Sequence, residues 1–191
     1  MFENIKSDFL RYYTRGPSLR NAIRIILSHN GFYATVIYRF GRWSNIVFAG
    51  RSLFFIRYFL LAIHYCLHHL VIKMYRIDID LKAIIGKGLY IPHFVGIEIR
   101  PCEIGEFCSI YQHVKIGSAE IIESGKFPHI GSRVWIGPYA RITGNVIVGE
   151  NSTVSAGTLV IKDISAGSLV TGIPTRVISS SYDNRAILYL N

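Results

Sequence analysis

An aliphatic residue recurs every six positions through most of the C-terminal half of this chain, and few folds accept such a period. Ile79, Ile85, Ile91 and Ile97 form a first run, and one extra residue precedes Ile104, Ile110 and Ile116. After an irregular segment the series resumes as Ile130, Ile136, Ile142, Val148, Val154 and Val160, with Ala166 and Gly172 keeping the phase. Glycine often follows, as at Gly86, Gly105, Gly117, Gly131, Gly137 and Gly149. Six is neither the 3.6 of a helix nor the 2 of a flat strand. It fits a triangular β-solenoid: each side takes about six residues, the aliphatic side chain points to the axis, and glycine permits the corner. Three sides make a coil of about eighteen residues, so residues 77–178 predict about five coils and a mainly β fold.

Residues 1–76 read as an α-helical, basic and apolar region. Ser18 is a helix N-cap candidate before Leu19–His29, and Asn30-Gly31 is a stop signal. A second helix is expected over Tyr33–Val47, bent at Gly41, and a third over Leu53–Met74. This region holds 11 Lys/Arg against Glu3 and Asp8, a net charge of +9, whereas residues 77–191 balance at ten of each sign. The asymmetry points to an anionic partner for the N-terminal region alone, such as phospholipid or acidic polysaccharide. No nucleic-acid recognition motif accompanies it.

Ser52–Ile72 is the most apolar stretch, but Arg57, His64, His68 and His69 interrupt it, so it is not read as a membrane span. Arg57, His64 and His68 fall on one helical stripe, which predicts a helix buried at an interface or lying in a membrane surface. Three cysteines do not make a disulfide framework and Met1–Tyr13 lacks a secretory h-region, so a cytoplasmic setting is expected. The irregular segment 118–128 should leave the coil as a surface loop, and residues 179–191 form a tail outside the repeat.

The ordered motifs now carry a resemblance. Ile77-Asp78-Ile79, Ile91-Pro92-His93-Phe94-Val95-Gly96 and Ile110-Tyr111-Gln112-His113-Val114-Lys115-Ile116-Gly117 resemble the serine acetyltransferase branch of the hexapeptide acyltransferases. So do Trp135-Ile136-Gly137, Ile142-Thr143-Gly144-Asn145, Ser155-Ala156-Gly157-Thr158 and Thr171-Gly172-Ile173-Pro174-Thr175-Arg176-Val177. The resemblance spans roughly residues 29–178. It implies a left-handed parallel β-helix, a homotrimer or a dimer of trimers, active sites between subunits, and acetyl-CoA as acyl donor. Two departures bear on the acceptor. Pro92 stands where that branch has the Asp that holds the amino acid, and Lys126-Phe127-Pro128 stands where it has Arg-His-Pro. The Pro128-His129-Ile130-Gly131 ending resembles the bacterial polysaccharide O-acetyltransferases of the same branch, those of colanic acid and capsule synthesis. The expected acceptor is therefore a sugar hydroxyl in a surface polysaccharide or its precursor, with a peripheral contact at the cytoplasmic face of the inner membrane. Serine O-acetyltransferase is the alternative, and an inactive β-helix scaffold is the alternative of another class.

Acetyl transfer from a thioester to an alcohol needs a base for the hydroxyl proton and donors for the oxyanion. Histidine suits the first task, with an ordinary pKa of about 6.5. His93 matches the catalytic position of the resembled family. Asp78, fifteen residues earlier and so about one coil below, matches its orienting partner, with Asp80 a rival. His113 and His129 are candidate acceptor contacts. Gly137, Ala140, Ala156 and Gly157 match the corners that the pantetheine arm approaches, and Lys162 and Arg176 are candidate phosphate partners. Two histidine groups, His64/His68/His69 and His93/His113/His129, invite a metal reading, but neither has the spacing of a known site, and no metal is expected.

Overall fold

The computed structural model of the protein describes residues 1–13, 20, 23–25, 29–48, 54–93, 95–117 and 127–188. Among the described residues, the helices α1 (Phe2–Leu10), α2 (Asn30–Val47) and α3 (Phe54–Tyr75) come first, and residues 20 and 23–25 are helical as well. Fourteen short strands and a last helix, α4 (Arg185–Leu188), follow among the described residues. The expected helix over Leu19–His29 lies largely outside the described residues, as do Ser18 and the loop 118–126. Helix α2 begins three residues before the expected start, so that Asn30-Gly31 opens it, and α1 lies where the sequence carries no helix expectation.

The strands form three parallel sheets that meet as a triangular prism. Sheet A stacks β1 (Ile77–Ile79), β3 (Ile97–Ile99), β6 (Lys115–Ile116), β9 (Arg141–Ile142) and β12 (Leu159–Val160). Sheet B stacks β2 (Ile84–Ile85), β4 (Glu103–Ile104), β7 (His129–Ile130) and β10 (Ile147–Val148). Sheet C stacks β5 (Ser109–Ile110), β8 (Trp135–Ile136), β11 (Thr153–Val154), β13 (Leu169–Thr171) and β14 (Arg176–Ser179), with β14 antiparallel to β13. Sheet A thus has five rungs and four full turns between β1 and β12. The hexad residues fill the axis: Ile110, Ile116, Ile136, Ile142, Val154 and Val160 are all fully buried. Burying each such side chain contributes about 1.5–3 kcal/mol, which explains why the repeat is so strict.

The first coil poses a problem that the helices solve. Ile84 and Gly86 donate their N–H groups to the carbonyls of Cys102 and Ile104 in the coil above. The matching carbonyls of Ala83 and Ile85 point the other way, where no coil lies, and unpaired buried carbonyls are costly. Helix side chains supply the donors. Tyr38 Oη donates to Ala83 O (2.7 Å), Arg42 to Ala83 O (2.7 Å), and Arg39 to the carbonyls of Ile85 and Gly86. Arg11 donates to Gly88 O (2.7 Å), to Ser109 Oγ (2.9 Å) and to Leu188 O (2.7 Å), tying both termini to the solenoid. Tyr12 Oη serves the backbone of Ile91 as donor and acceptor, 3.2 Å from each atom. Asp8 completes the lid by pairing with Arg39 (3.1 Å) and accepting from Leu89 N (2.8 Å). Burial pushes the Asp8 carboxyl above the usual carboxylate range, against the pull of Arg39. Part of the N-terminal cation excess is therefore internal, a use that net charge alone does not reveal.

Two glycines permit close approach. A Cβ at Gly31 would lie 2.3 Å from Ile91 O, and one at Gly41 would lie 2.4 Å from His64 Nδ1. Gly41 is thus the place where α2 meets α3. Replacing Arg39 with Met would strand a buried carboxylate and two carbonyls. The expected loss is about 3–5 kcal/mol of folding stability, read from urea denaturation midpoints.

Candidate active site

The corners joining sheet C to sheet A stack into one edge of the prism. Each coil turns there through a residue with left-handed backbone: Gly96 (φ +71°), His113 (φ 59°), Tyr139 (φ 61°) and Gly157 (φ +67°). That conformation is uncommon for a side chain other than glycine. At His113 and Tyr139 it brings two rings into a stack, with centroids 4.6 Å apart and planes 14° apart. Gly96 is the seat for His113, since a Cβ there would lie 2.4 Å from His113 Nδ1.

His93 sits at the foot of this edge, exposed, with its ring 5.8 Å from that of Tyr111. Tyr111 in turn meets Trp135 at 4.9 Å. Above Tyr139 the edge is built of small residues. Ala156 is exposed, and the position of a Cβ on Gly157 has nothing within 4 Å, so the backbone is open to an approaching chain. Gly137 lies under Ala156, where a Cβ would come within 2.7 Å of Ala156 N. Arg176, exposed, pairs in register with Thr171 at the top. The structure therefore gathers His93, His113, Gly137, Ala156, Gly157 and Arg176 onto one edge.

Other expected residues lie elsewhere. Ala140 is fully buried, so its methyl faces the interior. Lys162 stands after β12, on the edge between sheets A and B, away from Arg176. His129 belongs to sheet B, where its Nδ1–H donates to Glu103 Oε2 at 3.0 Å and Phe127 packs on its ring at 5.1 Å. His93, His113 and His129 do not converge, and among the described residues no three His, Cys, Asp or Glu side chains form a metal-ligand group.

Asp78 requires a correction. Ile77 pairs with Ile97, so the first coil takes twenty residues rather than eighteen. Fifteen residues fall a corner short of a full turn, which places His93 on the edge and Asp78 on the outer face of sheet A. There the His68 Nε2–H donates to Asp78 Oδ1 (3.1 Å), and Arg100 lies 3.2 Å from Oδ2. Arg100 continues to Glu98 (2.6 Å) and Glu98 to Lys115 (2.9 Å), an ionic ladder that position-by-position reading did not anticipate. Within one chain Asp78 therefore serves this ladder and does not touch His93.

Residues 127–162 match the family described as "Bacterial transferase hexapeptide (six repeats)". The serine acetyltransferase of Synechococcus elongatus is 32% identical over 182 residues, covering 95% of this chain and 70% of that protein. The chain belongs to the serine acetyltransferase family of hexapeptide-repeat transferases. The serine acetyltransferase of Bacillus subtilis is 28% identical over 93% of this chain and 77% of its own length. Among solved structures, that of Neisseria gonorrhoeae serine acetyltransferase superposes with a TM-score of 0.77 at 25% identity, covering 97% of this chain and 69% of that one. Soybean serine acetyltransferase complexed with serine gives 0.75 at 26% identity, over 92% and 68%. The prism is the left-handed parallel β-helix of this family, and the chain is an acetyl-CoA-dependent O-acetyltransferase. These relatives do not support polysaccharide or capsule synthesis; they favour the serine alternative. Nor do they support an inactive scaffold.

The hydrogen bond from His68, with Arg100 beside it, holds the Asp78 carboxyl below the usual carboxylate range. A depressed folded pKa adds stability above the unfolded value of 3.8 that is lost as pH falls through the folded pKa. The Asp78→Asn variant should lose about 0.5–1 kcal/mol near pH 7, and the difference from the parent should vanish as acid protonates the carboxylate, in urea titrations at falling pH.

Proposed function

We propose that this enzyme moves the acetyl group of acetyl-CoA to a hydroxyl bound beside His93, in a cleft that a neighbouring copy completes. The imidazole takes the hydroxyl proton as the oxygen attacks the thioester carbonyl. The tetrahedral intermediate collapses to the ester, and the imidazolium returns the proton to the departing thiolate. The small-residue column at Gly137, Ala156 and Gly157 offers open backbone for the pantetheine arm, and Arg176 offers a cation for phosphate. The observation that carries the proposal is that this column shares the C–A edge with an exposed His93, beginning two coils above it. A homotrimer fits the placement of the parts. His93 lies on the C–A edge, whereas Phe127 and His129 enter sheet B from the A–B edge, so a cleft containing both draws on two copies. Asp78 would then orient the imidazole only from a neighbouring chain.

The relatives support serine as the acceptor. Pro92 and Phe127 favour a second reading, a sugar hydroxyl. A free amino acid presents an ammonium and a carboxylate, and burial of either calls for an opposite charge. Pro92 and Phe127 supply none at the positions where the resemblance expects Asp and His, and Lys126 lies outside the described residues. An aromatic and an imidazole side by side suit a pyranose ring, which has apolar faces and hydroxyl edges.

Thiol release from acetyl-CoA decides between them. Serine-dependent turnover establishes the first reading; turnover with saccharide acceptors and none with serine establishes the second. In either case His93→Ala should lower kcat by about 10²–10⁴-fold with the fold intact. An unchanged kcat in Asp78→Asn would assign that carboxylate to the ionic ladder alone.

A further inference from the structure

Helix α3 turns a polar stripe toward the protein. Arg57, His64 and His68 form it: His64 is 1% exposed and its Nδ1–H donates to Ile37 O (3.1 Å). Arg57 donates to Asn45 Oδ1 (2.6 Å), and His68 stacks on His64 while it holds Asp78. Many of its apolar residues face outward, although Val71 is buried. Ile56, Phe59, Ile63, Leu67, Leu70 and Met74 recur at three- and four-residue steps, a single stripe turned well away from His64 and His68. Every one of them is exposed, Phe59 at 67%, Leu70 at 54% and Met74 at 66%. A stripe of this length against water is unfavourable, so an apolar surface covers it in the cell.

Charge identifies the cover. No Asp or Glu occurs between Asp8 and Asp78. Among the described residues of 1–76, Lys6, Arg20, Arg24, Lys73 and Arg76 are exposed cations, with Glu3 the exposed acid. Of these, Lys73 lies on α3 and Arg76 directly follows it, so cations accompany the stripe itself. An anionic bilayer offers both an acyl layer for the stripe and headgroup charge for the cations. The helix is long and apolar enough to cross a membrane by length and composition alone. Its inner stripe, however, is committed to Ile37, Asn45 and Asp78, which keeps it flat against the solenoid. We propose that α3 docks through its outward stripe onto the surface of an anionic phospholipid bilayer, holding the enzyme at the membrane plane.

Flotation of the full chain with vesicles tests this. The protein should float with phosphatidylcholine vesicles that contain about a quarter phosphatidylglycerol, and at least about tenfold less with phosphatidylcholine alone. Raising salt from about 0.1 M to about 1 M, which shortens the screening length from about 10 Å to about 3 Å, should release most of it. The triple variant F59S/L70S/M74S, with thermal unfolding as the check on folding, should lose flotation by at least about tenfold. If that variant fails to fold, Lys73→Glu should lower binding to the anionic vesicles alone. Failure of the parent to float overturns the proposal, as does flotation that the variants do not change. Assembly of the parent into particles that the triple variant splits, without flotation, assigns the stripe to a second copy and equally overturns it.

Discussion

A solenoid of parallel strands has a first coil with nothing beneath it, and the rest of this molecule is organised around that vacancy. Strand carbonyls that would pair with a lower coil meet Tyr38, Arg39 and Arg42 instead. Because the acceptors are fixed in backbone positions, the donors must be long, multivalent and held rigidly. Arginine meets the first two demands, and the buried Asp8–Arg39 pair meets the third. The helices are therefore less an appendage than the floor of the β-helix. The edge that carries His93 begins one corner above that floor, with Tyr12 gripping the backbone of Ile91 two residues before it.

Much of this was legible in the sequence. The hexad repeat reports side chains that point to the axis, and one-sided burial leaves a strict pattern, so the prism and its first rung near Ile77 follow directly. The edge carrying His93, Gly137, Ala156 and Gly157 was legible through the family resemblance, which also named Ala140, whose methyl the structure buries. Asp78 was misplaced because a uniform coil length was assumed, and the first coil runs two residues long on its way round the floor. Lys162 was misplaced for a related reason: a charge near the end of a solenoid says nothing about which of three edges it occupies.

What sequence could not reveal was partnership across the fold. Asp8, Arg11 and Arg39 look like ordinary surface charges, for nothing local marks a side chain that will bond backbone groups of a distant part of the chain. The polar stripe of α3 was visible as Arg57, His64 and His68, but its direction was not. A helical period defines a stripe without saying whether it looks in or out, and here hydrogen-bond partners on α2 and on sheet A turn the polar side inward.

The antiparallel β14 completes the picture from the other end. It lies along β13 in the reverse sense, and the chain then folds back so that Asn184 reaches the carbonyls of Arg133 and Ser152. A stack of identical rungs is in principle extendable, each molecule offering a template to the next. A reversed strand on one terminal edge and a helical floor under the opposite one deny an incoming chain a parallel partner at both places. Growth along the prism axis into fibres is thereby discouraged, and association is steered to the long sides, where the edge bearing His93 lies open.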